Sequence, residues 1–215
     1  MSKNVSDQLV ETLVEAGIQR IYAVTGDSLN HVNAAVHRNW KIKWIHVRHE
    51  ETVAYAAGAE AQLNDLACFA GSSGPGHVHL INGWYDAHRS SASVLAIAST
   101  IPTKEFGTDF FQETNIIRLF DDCSCYNQVA TTPAQLPRML QAALQNAVHK
   151  RGLAVIGLPG DITDLPAVAA RNYDLTFPEP AYCQAIGRWA VAIAWIVKLA
   201  QKGHYLLRIG CCGCT

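Results

Sequence analysis

The chain has 215 residues, 49% of them hydrophobic, and its 17 basic and 18 acidic side chains nearly balance. This length allows one domain with a complete core. The near-neutral charge disfavours a nucleic-acid-binding protein. No apolar stretch in the N-terminal part reaches the roughly 18–20 residues of a membrane-spanning helix.

Short apolar runs alternate with helix-length segments along most of the chain. An apolar stripe predicts a helix from Val5 to Val14, ended by Gly17. Near-continuous apolar strands alternating with helices are typical of a parallel sheet covered on both faces. We therefore predict a three-layer α/β domain with its ligand site at the carboxyl ends of the strands. The predicted strands are residues 20–24, 43–47, 66–71, 93–99 and 153–159.

The last helix of this domain is predicted within residues 132–152. Thr132 can cap it, Pro133 can take its first position and Gly152 can end it. Beyond residue 178 the composition changes, and no Asp or Glu occurs from Pro180 to Thr215. We therefore place the domain at residues 1–178 and a divergent segment at 179–215.

The seven cysteines form no paired CxxC knuckles, and their number is odd. This pattern disfavours both a disulfide framework and a zinc site. Together with an amphipathic N-terminus, unlike a secretory signal peptide, it predicts a reduced, cytoplasmic setting.

A glycine-containing turn, GSSGPGHVHLINGWYD, follows the strand at 66–71 and opens a helix over residues 71–86. Such turns can point free backbone N–H groups at a ligand. His77 and Val78 stand where a P-loop needs Lys and Ser or Thr, so the phosphate-loop interpretation fails. The alternative is a tight turn that lets helix and strand pack closely.

Two adjacent acids, Glu50 and Glu51, open a segment composed mainly of Ala and Gly. One interpretation is that they complement the helix dipole, which is worth about 0.3–1 kcal/mol. The other is that an acid at the mouth of a shallow apolar recess exchanges a proton with a ligand nitrogen. The nearby histidines lack the HExxH pattern, so no metal site is predicted; they are His49, His77, His79 and His88.

The chain resembles the N-terminal, pyrimidine-binding domain of thiamine diphosphate-dependent enzymes, particularly the group of pyruvate oxidase and quinone-linked pyruvate dehydrogenase. The resemblance covers about residues 4–178. It is carried by VTGDSLN (24–30), RHEETVAYAAGAEAQL (48–63), GSSGPGHVHLINGWYDAHR (71–89), FFQET (110–114) and VIGLPGDI (155–162).

The resemblance implies a role for Glu50, which would hydrogen-bond the N1′ atom of the cofactor's aminopyrimidine ring and so promote deprotonation of thiazolium C2. Glu51 would be its structural companion. Thr25 and Gly26 would form the floor of the cofactor pocket. Phe111 and Gln112, in a loop-like stretch, would approach the carbonyl of the substrate, pyruvate. The pyrimidine side of the pocket would be lined by Ser73, Gly74, Pro75 and His79.

Full members of this family bind magnesium and the cofactor diphosphate through a GDG motif in another domain, and pyruvate oxidases bind FAD in a third. No GDG occurs in this sequence. Family sites form between subunits of homo-oligomers, so we expect this chain to hold half a site, with weak cofactor binding and no turnover alone. The resemblance to quinone-linked enzymes also implies that full-length relatives could contact a membrane surface peripherally.

Three alternatives remain open from the sequence. The domain could belong to an acetolactate synthase-like carboligase instead of a pyruvate oxidoreductase. It could also be a non-catalytic interaction module that pairs with a partner carrying the other domains or associates with itself. The composition of residues 183–215 is what an altered reading frame produces, so we also hypothesise a frameshifted remnant of a flavin domain.

Overall fold

The computed structural model describes residues 3–168. The divergent segment at 179–215, with its predicted frameshift, lies outside the described residues. The six strands are β1 (Arg20–Ala23), β2 (Lys43–His46), β3 (Ala67–Gly71), β4 (Val94–Thr100), β5 (Tyr126–Val129) and β6 (Leu153–Pro159). The helices are α1 (Val5–Glu15), α2 (Asn30–Asn39), α3 (Glu50–Asn64), α4 (Pro75–Arg89), α5 (Ile116–Leu119) and α6 (Leu136–Lys150).

The strands form one sheet in the order β2-β1-β3-β4-β6-β5, and every pairing is parallel. Helices α1, α2 and α6 contribute to the hydrophobic core on one face, and α3, α4 and α5 to the core on the other. Both β4 and β6 are buried along all seven of their residues. The predicted three-layer parallel α/β fold is thus confirmed.

Alternation along the central strands divides the two cores. In β4, Leu95 and Ile97 belong to the core under α1, α2 and α6, whereas Val94 and Ala96 belong to the core under α3, α4 and α5. Successive side chains of a strand point to opposite faces, so a strand buried on both sides is apolar throughout. This is why the apolar runs located most of the strands in the sequence.

One strand, β5, was missed in the sequence. It is a short edge strand that pairs only with β6 in the described sheet, and Asn127 and Gln128 interrupt its apolar pattern. An edge strand needs little apolar surface, so periodicity does not reveal it.

The prediction for the start of α6 was wrong. The helix begins at Leu136, and the side chain of its N-cap residue, Gln135, makes no capping hydrogen bond to the helix. Gln135 Oε1 instead accepts hydrogen bonds from the backbone N–H groups of Thr131 and Thr132, at 2.9 and 3.1 Å. At the other end the helix stops at Lys150, and Arg151, one residue before the predicted Gly152, takes the left-handed conformation with φ +49°.

The contact between α3 and α4 is unusually close because small residues meet there. A Cβ added at Gly83 of α4 would lie 2.8 Å from the Cβ of Ala54 and 2.9 Å from two backbone atoms of α3. A Cβ at Gly58 of α3 would lie 3.2 Å from the Cβ of Ala87. The Ala- and Gly-rich composition of α3 therefore lets the two backbones approach, and it brings the N-terminal turns of both helices together.

In residues 3–168, none of the helices is both long and apolar enough to span a membrane.

Candidate functional site

Glu50 is the first residue of α3, and its position is set by a side-chain cap. His49 precedes the helix in an extended conformation, and its Nδ1 accepts a hydrogen bond from the backbone N–H of Glu51 at 3.2 Å. The Glu50 side chain is only 15% exposed. This carboxylate lies at the rim of the domain interior, between α3 and α4, and not on the open surface.

A histidine from α4 contacts this carboxylate. His79 Nδ1 lies 3.1 Å from Glu50 Oε2, and the rings of His79 and His49 stack with centroids 4.9 Å apart. His79 can donate to Oε2 either as the cation or as the neutral tautomer protonated on Nδ1. In the described part of the chain, Glu50 Oε1 takes no hydrogen bond; it lies 3.7 Å from where a Cβ on Gly76 would stand. One carboxylate oxygen is thus oriented by the protein, and the other faces the glycine turn.

The glycine turn after β3 has a backbone that only small residues allow. Gly74 has φ +71°, and a Cβ there would lie 3.0 Å from Cα of Gln112. A Cβ at Gly26, after β1, would lie 2.2 Å from Oγ of Ser72. The missing side chains therefore let three loops meet at the carboxyl edge of the sheet, which is where ligands bind in open α/β folds.

Serine side chains connect these loops. Ser28 Oγ lies 2.9 Å from Ser72 Oγ and accepts a hydrogen bond from the backbone N–H of Ser73 at 3.2 Å. Ser99, in β4, donates from Oγ to the carbonyl oxygen of Ser28 at 2.5 Å. These bonds hold the turn after β3 against the segment after β1. Ser28 and Ser99 were not singled out in the sequence, although Ser28 lies in the VTGDSLN motif.

Glu51 differs from Glu50 in its surroundings. Its Oε1 accepts a hydrogen bond from Nδ2 of Asn82, in α4, at 2.6 Å. This contact ties the first turn of α3 to the middle of α4. The two adjacent acids thus have different partners, and Glu51 is occupied by a bond between helices.

The structure brings most of the predicted site residues together. Glu50, His79 and the glycine turn of Ser73, Gly74 and Pro75 are neighbours, with Pro75 opening α4. Gly26 joins them through Ser72, and Gln112 through Gly74. Their roles toward a cofactor stay predictions.

Two predicted residues lie at the margin of this group. The exposed Thr25 approaches Nδ1 of His46, at the end of β2, with 3.5 Å between Oγ1 and the ring nitrogen. Phe111 is 83% exposed and contacts the ring of Phe110. Among the described residues, neither forms a hydrogen bond with Glu50.

Two further residues connect the site to its surroundings and were not predicted to do so. His77, in the first turn of α4, is fully buried, and its Nδ1 lies 2.6 Å from Oγ1 of Thr114. Burial lowers the pKa of His77 to about 4, although the backbone of Ser99 and Gly71 acts in the opposite direction. The ring is therefore neutral near pH 7. The two residues are 37 positions apart, and no local spacing links them.

His49, Glu50 and His79 also form a group that could hold a metal ion. One ligand atom from each lies within 4.8 Å of the others, and among the described residues this is the one such group. Two imidazoles and a carboxylate suit Zn²⁺ or a similar divalent ion. The sequence-based expectation of no metal site did not foresee this group, because His79 joins it from a different helix.

The fold and this edge define a class of protein: a parallel α/β domain with a small-residue cleft at the carboxyl ends of its strands and an oriented carboxylate within it. A family model described as the N-terminal TPP binding domain of thiamine pyrophosphate enzymes matches residues 3–119, which is more than half of the chain. The chain belongs to the thiamine pyrophosphate (thiamine diphosphate) enzyme family.

Curated relatives agree with this assignment. A pyruvate oxidase of Lactiplantibacillus plantarum is 35% identical over 80% of this chain, and acetolactate synthase 2 of Zea mays is 32% identical over 80%. An uncharacterized 42.6 kDa protein of Pseudomonas amyloderamosa is 53% identical over 97% of the chain. The chain spans only 53% of the Pseudomonas protein, 30% of the pyruvate oxidase and 27% of the acetolactate synthase.

Proposed function

We propose that this domain is the pyrimidine-binding half of a thiamine diphosphate- and flavin-dependent pyruvate oxidoreductase, in which Glu50 activates the cofactor. One observation carries the proposal. Glu50 is a partly buried carboxylate whose Oε2 is held by His79, while Oε1 faces the glycine turn without a partner in the described residues. That arrangement suits a hydrogen bond to a ring nitrogen of a ligand.

The residues present fit the pyrimidine end of thiamine diphosphate. Gly76 leaves room beside Glu50 Oε1 that a side chain would fill, and Glu50 offers the acid that an aminopyrimidine ring nitrogen requires. When bound, the cofactor supplies the electron sink for decarboxylation of a 2-oxo acid. Magnesium and FAD would be held by other domains of the full-length relatives.

The residues of this chain would bind the pyrimidine ring, orient the Glu50 carboxylate and move one proton. Glu50 would hold the proton at Oε1, and the adjacent helices would limit water around it, which strengthens the hydrogen bond. His79 would fix the carboxylate orientation through Oε2. Gln112, beside Gly74, would face the substrate end of the site.

The more specific parts of this proposal are pyruvate as the substrate and a flavin as the electron acceptor. Similarity to pyruvate oxidase and the FFQET segment support them, while similarity to acetolactate synthase at nearly equal identity supports a carboligase as the second candidate. Self-association as a homo-oligomer is part of the proposal, and a clean monomer in size-exclusion chromatography would count against it. The proposal also includes a cytoplasmic location.

Nuclear magnetic resonance with a free aminopyrimidine, 4-amino-5-hydroxymethyl-2-methylpyrimidine, tests the core of the proposal. We expect millimolar concentrations to shift the amide signals of Glu50 and Gly76, and Glu50→Gln to abolish the shifts. Glu51→Gln is the matched control, because Glu51 is bonded to Asn82 instead. Equal binding by Glu50→Gln and the wild type would overturn the assigned role.

The proposed reaction also needs the magnesium-, diphosphate- and flavin-binding domains of full-length relatives. We therefore propose mixing the chain with a fragment of pyruvate oxidase that lacks its own pyrimidine-binding domain, then adding thiamine diphosphate, magnesium, FAD and pyruvate. Pyruvate-dependent dye reduction supports the oxidoreductase, and acetolactate formation supports the carboligase. By itself the chain should bind thiamine diphosphate and magnesium weakly in calorimetry, and micromolar binding would contradict that expectation.

The frameshift hypothesis for residues 183–215 has its own test, which is translation of the other two frames of the coding DNA. A flavin-domain-like continuation in one of them would support it, and its absence from both would refute it. The alignment with the Pseudomonas protein covers 97% of this chain and so necessarily reaches past residue 178. The same translation should therefore be made for the gene of that relative.

A further inference from the structure

A part-buried hydrogen bond connects helix α4 to the loop before α5. His77 belongs to the first turn of α4, directly after the glycine turn, and Thr114 lies just before α5. Their side chains meet at 2.6 Å between Nδ1 and Oγ1, and His77 has no exposed surface. The neutral ring can accept the threonine hydroxyl or donate to it.

The segment that ends at Thr114 carries the predicted substrate residues. Gln112 touches Gly74 through its backbone, so this segment lies against the glycine turn. Within the segment, Glu113 donates its backbone N–H to the carbonyl of Phe110 at 2.7 Å and accepts the N–H of Gly107 at 2.9 Å. The segment is thus folded on itself and is joined to α4 at its C-terminal end by His77.

This segment also borders a half-open pocket. It has a volume of about 350 Å³, and Gln112 and Thr114 form part of its lining, together with Thr100, Ile101, Phe106 and Ile116. The segment therefore borders open space there instead of packed side chains. A specific contact is needed to hold Gln112 at the glycine turn.

We propose that the His77–Thr114 hydrogen bond is a clasp that holds the Phe111–Gln112 segment against the glycine turn, which makes His77 a positioning residue for the substrate end of the site. The assignment of that end to a substrate rests on the proposed function. The clasp itself is a property of the fold, because His77 and Thr114 contact each other without a ligand. A buried imidazole that loses its partner is left with an unsatisfied polar atom, so breaking the bond favours opening of the loop.

Hydrogen–deuterium exchange of the full 215-residue chain tests the clasp, with each partner changed in two ways. Thr114→Val removes the hydroxyl and keeps the shape, whereas Thr114→Ser keeps the hydroxyl. His77→Leu removes both nitrogens, whereas His77→Asn keeps a polar atom near the position of Nδ1. We expect Thr114→Val and His77→Leu to speed amide exchange in residues 107–114 by about tenfold, and the conservative variants to restore protection.

The comparison region is α6, which lies on the opposite face of the sheet. Faster exchange at 107–114 with unchanged exchange in α6 supports the clasp, and the double variant Thr114→Val with His77→Leu should add little to either single change. Unchanged exchange at 107–114 in Thr114→Val, or an equal increase in α6, would overturn it. Failure of the proposed function is a separate result, because it shows as absent aminopyrimidine binding in the wild-type chain.

Discussion

The two faces of the sheet are packed with different kinds of side chain. On the face of α1, α2 and α6, the helices bury long aliphatic residues such as Leu9, Leu13 and Leu140. On the face of α3 and α4, the buried residues of α3 are mainly alanines and a glycine, and aromatic rings in α4, β3 and the end of α5 fill the remaining space. The rings of Trp84 and Phe120 stack there, with their centroids 3.9 Å apart.

This difference relates packing to function. Interdigitated aliphatic side chains stabilise a fold but keep helix backbones well apart. Small residues bring α3 and α4 close enough for Glu50 to meet His79 and for Glu51 to meet Asn82. The first face mainly supplies stability, while the second also sets the geometry of the candidate site.

The sharpest comparison is between two buried leucines, one on each face. Leu140, in α6, and Leu80, in α4, are both almost fully buried, so Leu→Ala at either should lower the free energy of unfolding by about 2–5 kcal/mol. Leu80 also packs against the last residue of β3, directly before the glycine turn, since a Cβ on Gly71 would lie 2.3 Å from its Cδ1. Only Leu80→Ala should therefore weaken aminopyrimidine binding. Urea unfolding measures the loss of stability, and the nuclear magnetic resonance titration measures aminopyrimidine binding. Equal losses of binding in the two variants would contradict a special role of the α3 and α4 face.

Acid should destabilise the domain through the α4 face. The pKa of His77 is about 4 in the folded chain and near 6.5 when unfolded, so between these values the unfolded state binds more protons. Stability should therefore fall as pH falls from about 6.5 to 4, by about 3 kcal/mol in all.

Urea unfolding at pH 7, 6 and 5 checks this sign. His77→Asn keeps a polar group but cannot titrate, so its stability should change less over the same range. If this variant kept the full wild-type slope, the acid sensitivity would have to come from other groups.

The smallest expected effect comes from a single methyl group between α3 and α4. Gly83→Ala places a Cβ within 2.9 Å of α3 backbone atoms, and overpacking of about 1–3 kcal/mol should exceed the ~1 kcal/mol that Ala gains in a helix. Gly160→Ala is the control, because its Cβ would meet no atom closer than 3.7 Å. Thermal unfolding should show a loss for Gly83→Ala alone. A stabilised Gly83→Ala would mean that the helices can separate at little cost.

Much of the fold could be predicted because its strands are buried on both faces. Continuous apolar runs located β3, β4 and β6, and Gly17, with φ +84°, follows α1 as expected. The edge strand β5 could not be found, since its exposed side needs no apolar residues. The start of α6 was misplaced because Gln135, and not Thr132, provides the hydrogen bonds to the preceding turn.

The candidate site was predicted in part, through a resemblance of motifs. Glu50, His79 and the glycine turn were identified as a group, and the structure makes them neighbours. The exposed position of Phe111 was not foreseen, because a run of sequence does not report whether an aromatic ring faces solvent. The contribution of His77 was missed because its partner, Thr114, is distant in the sequence.

The sequence by itself determined the class of fold and the family, because buried strands, amphipathic helices and ordered motifs are local patterns along the chain. Only the tertiary structure decided which of the two adjacent acids is bonded to Asn82 and which is held by His79 toward the glycine turn. It also decided that His77 joins Thr114. The physical reason is that these contacts depend on the distance and rotation between α3, α4 and the loop before α5, which are set by packing across the whole sheet.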